Sequence, residues 1–316
     1  MIHDTVVNTT RHRALGLAVA ALFVIGAPSI GQADPLLDEI VEFTGEIFYI
    51  DTKVPAVVIG AVRDGETAVF GFGERDGPGS APPDGDTVMR IGSITKAFTG
   101  QMLAHLAADG TVEMAQPLTK WVPQMGPGRN GDAARIRLID LATHAGGLPR
   151  EVPHEPGPDD DPFATITPEA YANWIKNEPL LFAPGSSVLY SNFGFDLLAM
   201  ALAAAAKKPD LLKEHVTGPL GMKDTGFELS AEQEKRFMRG QAPDGTPMPI
   251  VPTGPVIVGS GGLYSTPNDL LRWMKWHLDR FGEDGAETRT LDHALYVMRD
   301  GLKTVSGMDE SATWTL

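Results

Sequence analysis

A serine and a lysine three residues apart are the side chains in this sequence that most directly suggest chemistry. Ser93 and Lys96 lie in Met89-Arg90-Ile91-Gly92-Ser93-Ile94-Thr95-Lys96-Ala97-Phe98. A serine hydroxyl becomes a useful nucleophile only when a base takes its proton. A lysine removed from water can be neutral enough to do so. The alternative is that Ser93 caps a helix and Lys96 is a surface charge.

The residues around this pair predict a helix that begins at Ser93. Apolar residues recur at three- and four-residue spacing, which is typical of a helix with one buried face; they are Ile94, Ala97, Phe98, Met102 and Leu106. A serine at a helix start lies beside free backbone N–H groups, which favour a developing anion. Lys96, one turn later, can return its amine to the serine hydroxyl.

Tyr190-Ser191-Asn192 is a second candidate element. We expect an extended stretch here, on which side chains two apart point the same way. Tyr190 would then exchange protons with Ser93 and the leaving group, and Asn192 would hold Lys96 and a substrate carbonyl. The alternative is a buried tyrosine with a hydrogen-bonded hydroxyl and an asparagine that caps the following helix.

Turn residues, helix caps and the spacing of apolar residues predict the helices and strands around these candidates. We expect a helix over 36–48, a strand over 54–62, a turn at Asp64-Gly65 and a returning strand over 67–73. Further helices are predicted over 136–143, from Thr167, over 195–206, and from 265–269 to about Phe281. In the last of these we expect the apolar residues Leu270, Leu271, Met274 and Leu278 to face inward. The glycines of 259–264 predict either close backbone approach at a site or simple tight packing.

Composition restricts the classes of partner. The 316 residues carry a formal net charge of −15 and no cysteine. The charge argues against nucleic acid and anionic membrane surfaces, and the absence of cysteine excludes disulfides. His154 lies near Asp159, Asp160 and Asp161, but that spacing matches no ordered ligand set, so we favour a solvated loop. We predict neither a metal nor an organic cofactor.

The first 33 residues are typical of an export signal. Arg11 and Arg13 precede an apolar run over 14–27, and Gly31-Gln32-Ala33 supplies small residues at cleavage spacing. We therefore predict a signal peptide over 1–33 and one hydrolase domain over 34–316, exported to the periplasm. The alternative is an uncleaved N-terminal anchor; no later segment is long and apolar enough to span a bilayer.

Together these motifs resemble the serine beta-lactamase and penicillin-binding-protein superfamily, in its class C-type branch. The resemblance rests on Ser93-x-x-Lys96, Tyr190-Ser191-Asn192, 141–149, 219–227 and 259–269. The sequence at 148–151, 183–186, 195–198 and 307–309 is also similar to that of the D-alanyl-D-alanine carboxypeptidase/endopeptidases of that branch. The resemblance implies that Ser93 is acylated, that Lys96 is its partner base, and that Tyr190 and Asn192 complete the proton relay.

The resemblance also implies a fold and a missing part. The expected class is α/β (α+β), with an antiparallel sheet flanked by helices and an inserted, mainly helical lobe. The family carries a third motif, Lys-Thr-Gly or His-x-Gly, on a C-terminal edge strand, which Lys303-Thr304-Val305 does not match. We expect a C-terminally incomplete domain that lacks one oxyanion donor, at a cost of about a hundred- to a thousandfold in rate. Restoring the chain beyond Leu316 should then recover acylation.

The implied reaction is acyl transfer to Ser93 from D-Ala-D-Ala peptides of peptidoglycan, with beta-lactams as further ligands. Whether Lys96 or Tyr190 is the general base remains open from sequence. The rival interpretations are a class C-type beta-lactamase, an esterase of the same fold, and an inactive cell-wall-binding homologue. The sequence does not fix the oligomeric state.

Overall fold

A computed structural model describes residues 34–208, 210–242, 246–254, 256–300 and 311–316. The predicted signal peptide over 1–33 lies outside these residues. Lys303-Thr304-Val305 and the stretch 307–309 also lie outside them.

An N-terminal helix packs on a hairpin, as the sequence predicted. Helix α1 (Pro35–Thr52) is capped by the Asp34 carboxylate, and strands β1 (Ala56–Arg63) and β2 (Glu66–Gly73) pair antiparallel along their whole length. Asp64 and Gly65 both have positive φ, which is the geometry of a tight hairpin turn that matches strand twist. Leu37 and Val41 of α1 are buried against Ala68 of the hairpin.

Two further antiparallel ladders complete the described strands. β3 (Met89–Arg90) pairs with β4 (Tyr264–Ser265), and β5 (Val297–Asp300) pairs with β6 (Ser311–Trp314). The β3–β4 ladder joins segments more than 170 residues apart, since Arg90 lies opposite Tyr264. The ladder therefore fixes both ends of the helical region that lies between these strands in sequence.

The helices of that region surround a core centred on α2 (Thr95–Ala108) and α6 (Asn192–Ala206). Phe98 and Leu103 from α2 and Phe193 and Leu197 from α6 are fully buried. The other α-helices described are α3 (Leu118–Trp121), α4 (Leu138–Ala142), α5 (Pro168–Asn177), α7 (Ala231–Glu234), α8 (Pro267–Leu278) and α9 (Ala286–His293). Short 3₁₀ turns occupy Gly92–Ile94, Pro123–Met125, Arg129–Gly131 and Ala133–Arg135, and Lys213–Thr217 is a π-helical turn.

Three details of the sequence prediction are wrong. Ile94 is 45% exposed rather than buried, because it belongs to the 3₁₀ turn before α2 and so departs from the helical phase. Helix α8 ends at Leu278, and Leu278, Phe281 and Met274 are exposed, so only Leu271 is fully buried and Leu270 partly so. Helix α6 begins at Asn192, three residues earlier than expected.

The predicted α+β class is confirmed, with helices around small antiparallel ladders. Within the described ranges, no helix has both the length and the apolar character needed to cross a bilayer.

Candidate active site

Ser93 lies on an exposed 3₁₀ turn that leads directly into α2. Gly92 has a φ of 52°, a conformation that glycine adopts without strain, and the Ile91 N–H donates to the Leu263 carbonyl at 3.0 Å. The β3–β4 ladder thus anchors the turn. The Ser93 side chain makes no capping hydrogen bond to α2, so the alternative that it is only a helix cap does not hold.

Lys96 is buried rather than a surface charge, with 6% of its surface exposed. Its Nζ lies 3.2 Å from Ser93 Oγ, 2.6 Å from Asn192 Oδ1 and 2.6 Å from the Ser260 carbonyl oxygen. On the other side of Ser93, the Tyr190 hydroxyl donates to Ser93 Oγ at 2.7 Å. The structure therefore brings together all four side chains that the sequence singled out.

Tyr190 and Asn192 reach this point differently from the prediction. Tyr190 precedes α6, but Asn192 is the first residue of the helix rather than part of an extended stretch. Ser191 is the cap, because its Oγ accepts from the Gly194 N–H at 2.9 Å. The Asn192 amide is left free to face Lys96.

The three contacts of Lys96 bear on its protonation state. Asn192 Oδ1 and the Ser260 carbonyl only accept, so each requires one N–H from Lys96. A neutral amine has two such donors and one lone pair, and the lone pair then faces the Ser93 hydroxyl. The Tyr190 hydroxyl donates to the same Ser93 oxygen, which leaves the Ser93 proton directed at Lys96. The three contacts match a protonated lysine that donates to all three oxygens, and equally a neutral lysine whose lone pair accepts from Ser93.

The electrostatics act in both directions on this amine. Burial lowers the pKa of Lys96 because the charged form loses its hydration, while interactions with Tyr190, Asp196 and Glu151 raise that pKa. The dominant cause is burial. A lysine with a lowered pKa is more often neutral at a given pH, which suits proton abstraction.

Glu151 holds Asn192 in place, a role that was not predicted from the sequence although Glu151 lies in 148–151, one of the stretches that carry the resemblance. The Asn192 amide nitrogen donates to Glu151 Oε1. A carboxylate only accepts, so this bond fixes which end of the Asn192 amide faces Lys96. No signal in the sequence marks such a contact, since the two residues are 41 positions apart.

His144 supports Tyr190 from beneath. The two rings lie 4.5 Å apart, and His144 Nδ1 accepts from the Ser191 backbone N–H at 3.0 Å. Burial, together with the charge of Lys96, lowers the pKa of His144 to about 3, so the ring is neutral at ordinary pH. Its acceptor nitrogen then holds the backbone between Tyr190 and Asn192 in place.

A buried carboxyl also lies under the site. Asp196 Oδ2 accepts from the Tyr171 hydroxyl at 2.7 Å, and burial raises the pKa of Asp196 to about 7. Asp196 lies in 195–198, one of the stretches on which the resemblance rests. Its charge, when present, favours the protonated form of Lys96.

The glycine-rich segment satisfies both readings that the sequence left open. A side chain on Gly259 would lie 2.3 Å from the Phe195 carbonyl oxygen and 2.7 Å from Ala199 Cβ, so the segment packs tightly on α6. That packing delivers the Gly259 carbonyl to the Thr99 hydroxyl at 2.9 Å and the Ser260 carbonyl to Lys96. Close packing and the site therefore depend on the same glycine.

Ser93 opens into a cleft of about 320 Å³. Its lining includes Arg90, Arg150, Glu151, Phe163 and Ile257. The Arg90 guanidinium donates to backbone carbonyls, and that of Arg150 lies 5.1 Å from the centre of the Tyr190 ring. Among the described residues, one group of three histidine and aspartate side chains is close enough to hold a metal ion, and that group is outside this cleft.

Comparison with known proteins adds to this geometry. The Beta-lactamase family model matches residues 34–315. The D-alanyl-D-alanine-carboxypeptidase/endopeptidase AmpH of Escherichia coli K12 is 36% identical over 306 residues, which cover 92% of this chain and 76% of that protein. A beta-lactamase of the same strain is 28% identical and covers 82% of this chain and 66% of that protein.

Solved structures agree with the sequence comparisons. The beta-lactamase/D-alanine carboxypeptidase from Yersinia pestis, complexed with citrate, matches with a TM-score of 0.68 and 33% identity over 84% of this chain and 75% of that one. A class C beta-lactamase matches with a TM-score of 0.73 over 84% of this chain and 72% of that one, and at 18% identity it supports the fold alone. The chain therefore belongs to the beta-lactamase family of hydrolases.

Proposed function

We propose that this protein is a serine hydrolase that forms an acyl-enzyme at Ser93 with peptides ending in D-Ala-D-Ala. The observation that carries the proposal is the position of Ser93 Oγ, 2.7 Å from the Tyr190 hydroxyl and 3.2 Å from Lys96 Nζ. The carboxypeptidase/endopeptidase named above supports the choice of substrate.

In the proposed acylation, Lys96 takes the Ser93 proton while Ser93 Oγ bonds to the amide carbon. The carbonyl oxygen becomes an oxyanion, and we assign its stabilisation to the Ser93 backbone N–H, in the 3₁₀ turn that leads into α2. Collapse of this intermediate breaks the C–N bond, and the amine leaves with the proton of the Tyr190 hydroxyl, which Lys96 then replaces with the proton that it took from Ser93. Water then attacks the ester, the bond from the acyl carbon to Ser93 Oγ breaks, and one proton of the water returns to Ser93 Oγ as the acid is released.

We assign the general base to Lys96 because burial favours its neutral form, and in that form the lone pair faces Ser93 once Asn192 and the Ser260 carbonyl have taken its two N–H donors. The value of kcat/KM should then decrease as the pH drops below the pKa of Lys96 in the free enzyme. Tyr190 passes protons between Ser93 and the leaving group.

The two arginines of the cleft fit the anionic end of such a peptide. Arg90 and Arg150 both line the cleft that contains Ser93. Guanidinium groups bind carboxylates through charge-assisted hydrogen bonds. We therefore assign recognition of the substrate's C-terminal carboxylate to Arg150, with Arg90 adding positive potential.

We propose that the first 33 residues direct the protein to the periplasm and are removed on export, so that the reaction takes place there. Peptidoglycan peptides are accessible there.

The test is mass spectrometry after incubation with a penicillin, a cyclic amide that the same serine would open. We expect one adduct per chain, mapped to Ser93, and none in Ser93→Ala. Ser186→Ala is the matched control, because Ser186 only donates to the Ala183 carbonyl in a turn. A folded protein that forms no adduct, or forms it at another residue, would refute the proposal.

Turnover assays then separate substrate classes. Release of D-alanine from a D-Ala-D-Ala peptide should exceed hydrolysis of both nitrocefin and a p-nitrophenyl ester in kcat/KM. Faster nitrocefin turnover would indicate a beta-lactamase, and faster ester turnover an esterase, and either result would overturn the substrate assignment while leaving Ser93 as the nucleophile.

A further inference from the structure

Three side chains from two neighbouring helices converge away from the Ser93 cleft. His277 lies on α8, and Asp292 and His293 end α9. His277 Nδ1 is 3.1 Å from His293 Nε2 and 3.3 Å from Asp292 Oδ2. One ligand atom from each of the three residues lies within 4.8 Å of the other two.

The hydrogen bonds of His293 show which of its nitrogens is available. Its Nδ1 lies 2.8 Å from the Arg289 carbonyl oxygen, which can only accept, so Nδ1 carries the hydrogen. His293 Nε2 therefore presents a lone pair to His277 Nδ1. Two ring nitrogens and a carboxylate oxygen face one another, and this arrangement is favourable when His277 Nδ1 carries a hydrogen or when a metal ion lies between the three atoms.

Burial makes the need for a cation stronger. The Asp292 side chain is 3% exposed, and its second oxygen, Oδ1, is buried with no hydrogen-bond partner among the described residues. His277 Nε2 is also buried without a partner there, and a metal ion on Nδ1 would leave that nitrogen as it is. An ionised carboxylate out of water is costly unless it is paired or coordinates a metal.

We propose that His277, Asp292 and His293 bind a divalent transition metal ion, with Zn²⁺ the best fit. Tetrahedral Zn²⁺ with bonds of about 2.0–2.1 Å places its ligand atoms about 3.3 Å apart. Two of the separations here are 3.1 and 3.3 Å, and the third is within 4.8 Å, so the His293 and Asp292 ligand atoms would draw together around the ion. Two imidazoles and one carboxylate suit Zn²⁺, Cu²⁺ or Ni²⁺ better than Mg²⁺ or Ca²⁺. His277 binds in the tautomer with its hydrogen on Nε2, and water completes the coordination.

The surroundings hold the ligands in position. The Arg289 carbonyl fixes the His293 ring through the second nitrogen, as the outer partners of metal-bound histidines do. The Arg289 guanidinium, itself buried, donates to the carbonyls of Trp276 and Asp279 on α8 and just beyond its end, and to Asp284 before α9. Arg289 thus fastens the two segments that carry the ligands.

The consequence is structural. A metal ion at this position links α8 to α9, and any ligand that binds only the folded chain stabilises it. His277 and His293 side chains are each about a quarter exposed, so the ion has a path from solvent. None of the three ligands lines the Ser93 cleft, and the inference is independent of the proposed function.

The experiment uses protein made without a histidine tag and stripped with EDTA, then titrated with ZnCl₂ by calorimetry. We expect one Zn²⁺ per chain and a Tm that rises with Zn²⁺ concentration. His277→Gln, His293→Gln and Asp292→Asn, each close in shape to the native residue, should weaken binding by at least about tenfold. Circular dichroism of the metal-free variants confirms that each one folds.

Two controls make the result specific. His154→Gln, at an exposed loop histidine, should leave Zn²⁺ binding unchanged. His105, on α2, and His215 form a second pair of neighbouring histidines, with their rings 5.2 Å apart. His215→Gln should also leave Zn²⁺ binding unchanged. Absence of a binding heat up to millimolar Zn²⁺ would overturn the proposal. So would binding that survives all three ligand variants or is lost in His215→Gln.

Discussion

The hydrogen bond from the Asn192 side-chain amide to Glu151 leads to a strong prediction about catalysis. Glu151 only accepts, and this fixes Asn192 Oδ1 toward Lys96 at 2.6 Å. Glu151→Leu removes the acceptor. The Asn192 amide can then turn over, which places N–H groups against the N–H groups of Lys96 and removes one of the acceptors that orient the lysine lone pair toward Ser93.

The size of the effect follows from the kind of bond that is lost. A hydrogen bond to a charged group contributes about 1.5–3 kcal/mol. If that energy orients Lys96 only for proton abstraction, its loss lowers kcat/KM by about 10- to 150-fold. Because the bond acts on Lys96 and not on substrate, we expect the loss in kcat rather than in KM.

Glu151→Gln separates the bond from the charge. Glutamine retains an oxygen that accepts from Asn192 but lacks the negative charge that raises the pKa of Lys96. The acid limb of the kcat/KM profile should therefore move to lower pH in Glu151→Gln, with a smaller loss of activity at the optimum than in Glu151→Leu. Second-order acylation by a penicillin across pH measures both quantities.

Two results would refute this reasoning. Equal rates in Glu151→Leu and the parent protein would show that Asn192 does not need its partner. An acid limb that stays in place or moves to higher pH in Glu151→Gln would show that the limb does not report Lys96. Glu169→Leu, at an exposed position in the first turn of α5, is the control for a general effect of lost negative charge.

Three further predictions concern stability. His144 has a folded pKa of about 3 against 6.5 unfolded, so the unfolded chain binds more protons between these values and stability should fall as pH drops from 6.5 to 3; urea unfolding should show a flatter fall in His144→Phe. Asp196 has a folded pKa of about 7 against 3.8 unfolded, so the folded chain binds more protons between these values and stability should fall as pH rises from 3.8 to about 7; Asp196→Asn should therefore raise Tm relative to the parent more at about pH 8 than at about pH 5. Gly259→Ala should cost about 1–3 kcal/mol in urea unfolding and slow acylation, because its methyl group meets the Phe195 carbonyl and displaces the carbonyl that binds Lys96; an unchanged acylation rate would contradict this link.

Local chemistry explains why much of the fold could be predicted. The Asp64-Gly65 turn adopts the left-handed conformations that its residues favour, and the hairpin follows. Thr167 and Thr266 cap α5 and α8 ahead of a first-turn proline. Signals of this kind act within a few residues, so they can be read before the chain folds.

Errors arose where the tertiary structure sets the phase or the end of an element. Ile94 fits the helical spacing of α2, yet the 3₁₀ turn rotates it into solvent. Leu278 fits the spacing of α8, yet that helix ends at this residue and leaves its side chain exposed. Spacing predicts which residues share a face but not what lies against that face.

The state of the candidate base is the part that no local pattern could supply. The spacing of Ser93 and Lys96 places an amine one turn from a hydroxyl, whether the amine is charged or neutral. Burial tips that balance, and the groups that bury Lys96 and use its N–H donors come from Asn192 and Ser260, 96 and 164 residues away. The same two residues in an exposed helix would keep the lysine charged, with its three donors turned to water. The motif therefore takes the geometry of the proposed catalytic pair only through the packing of α6 and the glycine-rich segment, and a variant that loosens this packing should lose acylation even though Ser93 and Lys96 are intact.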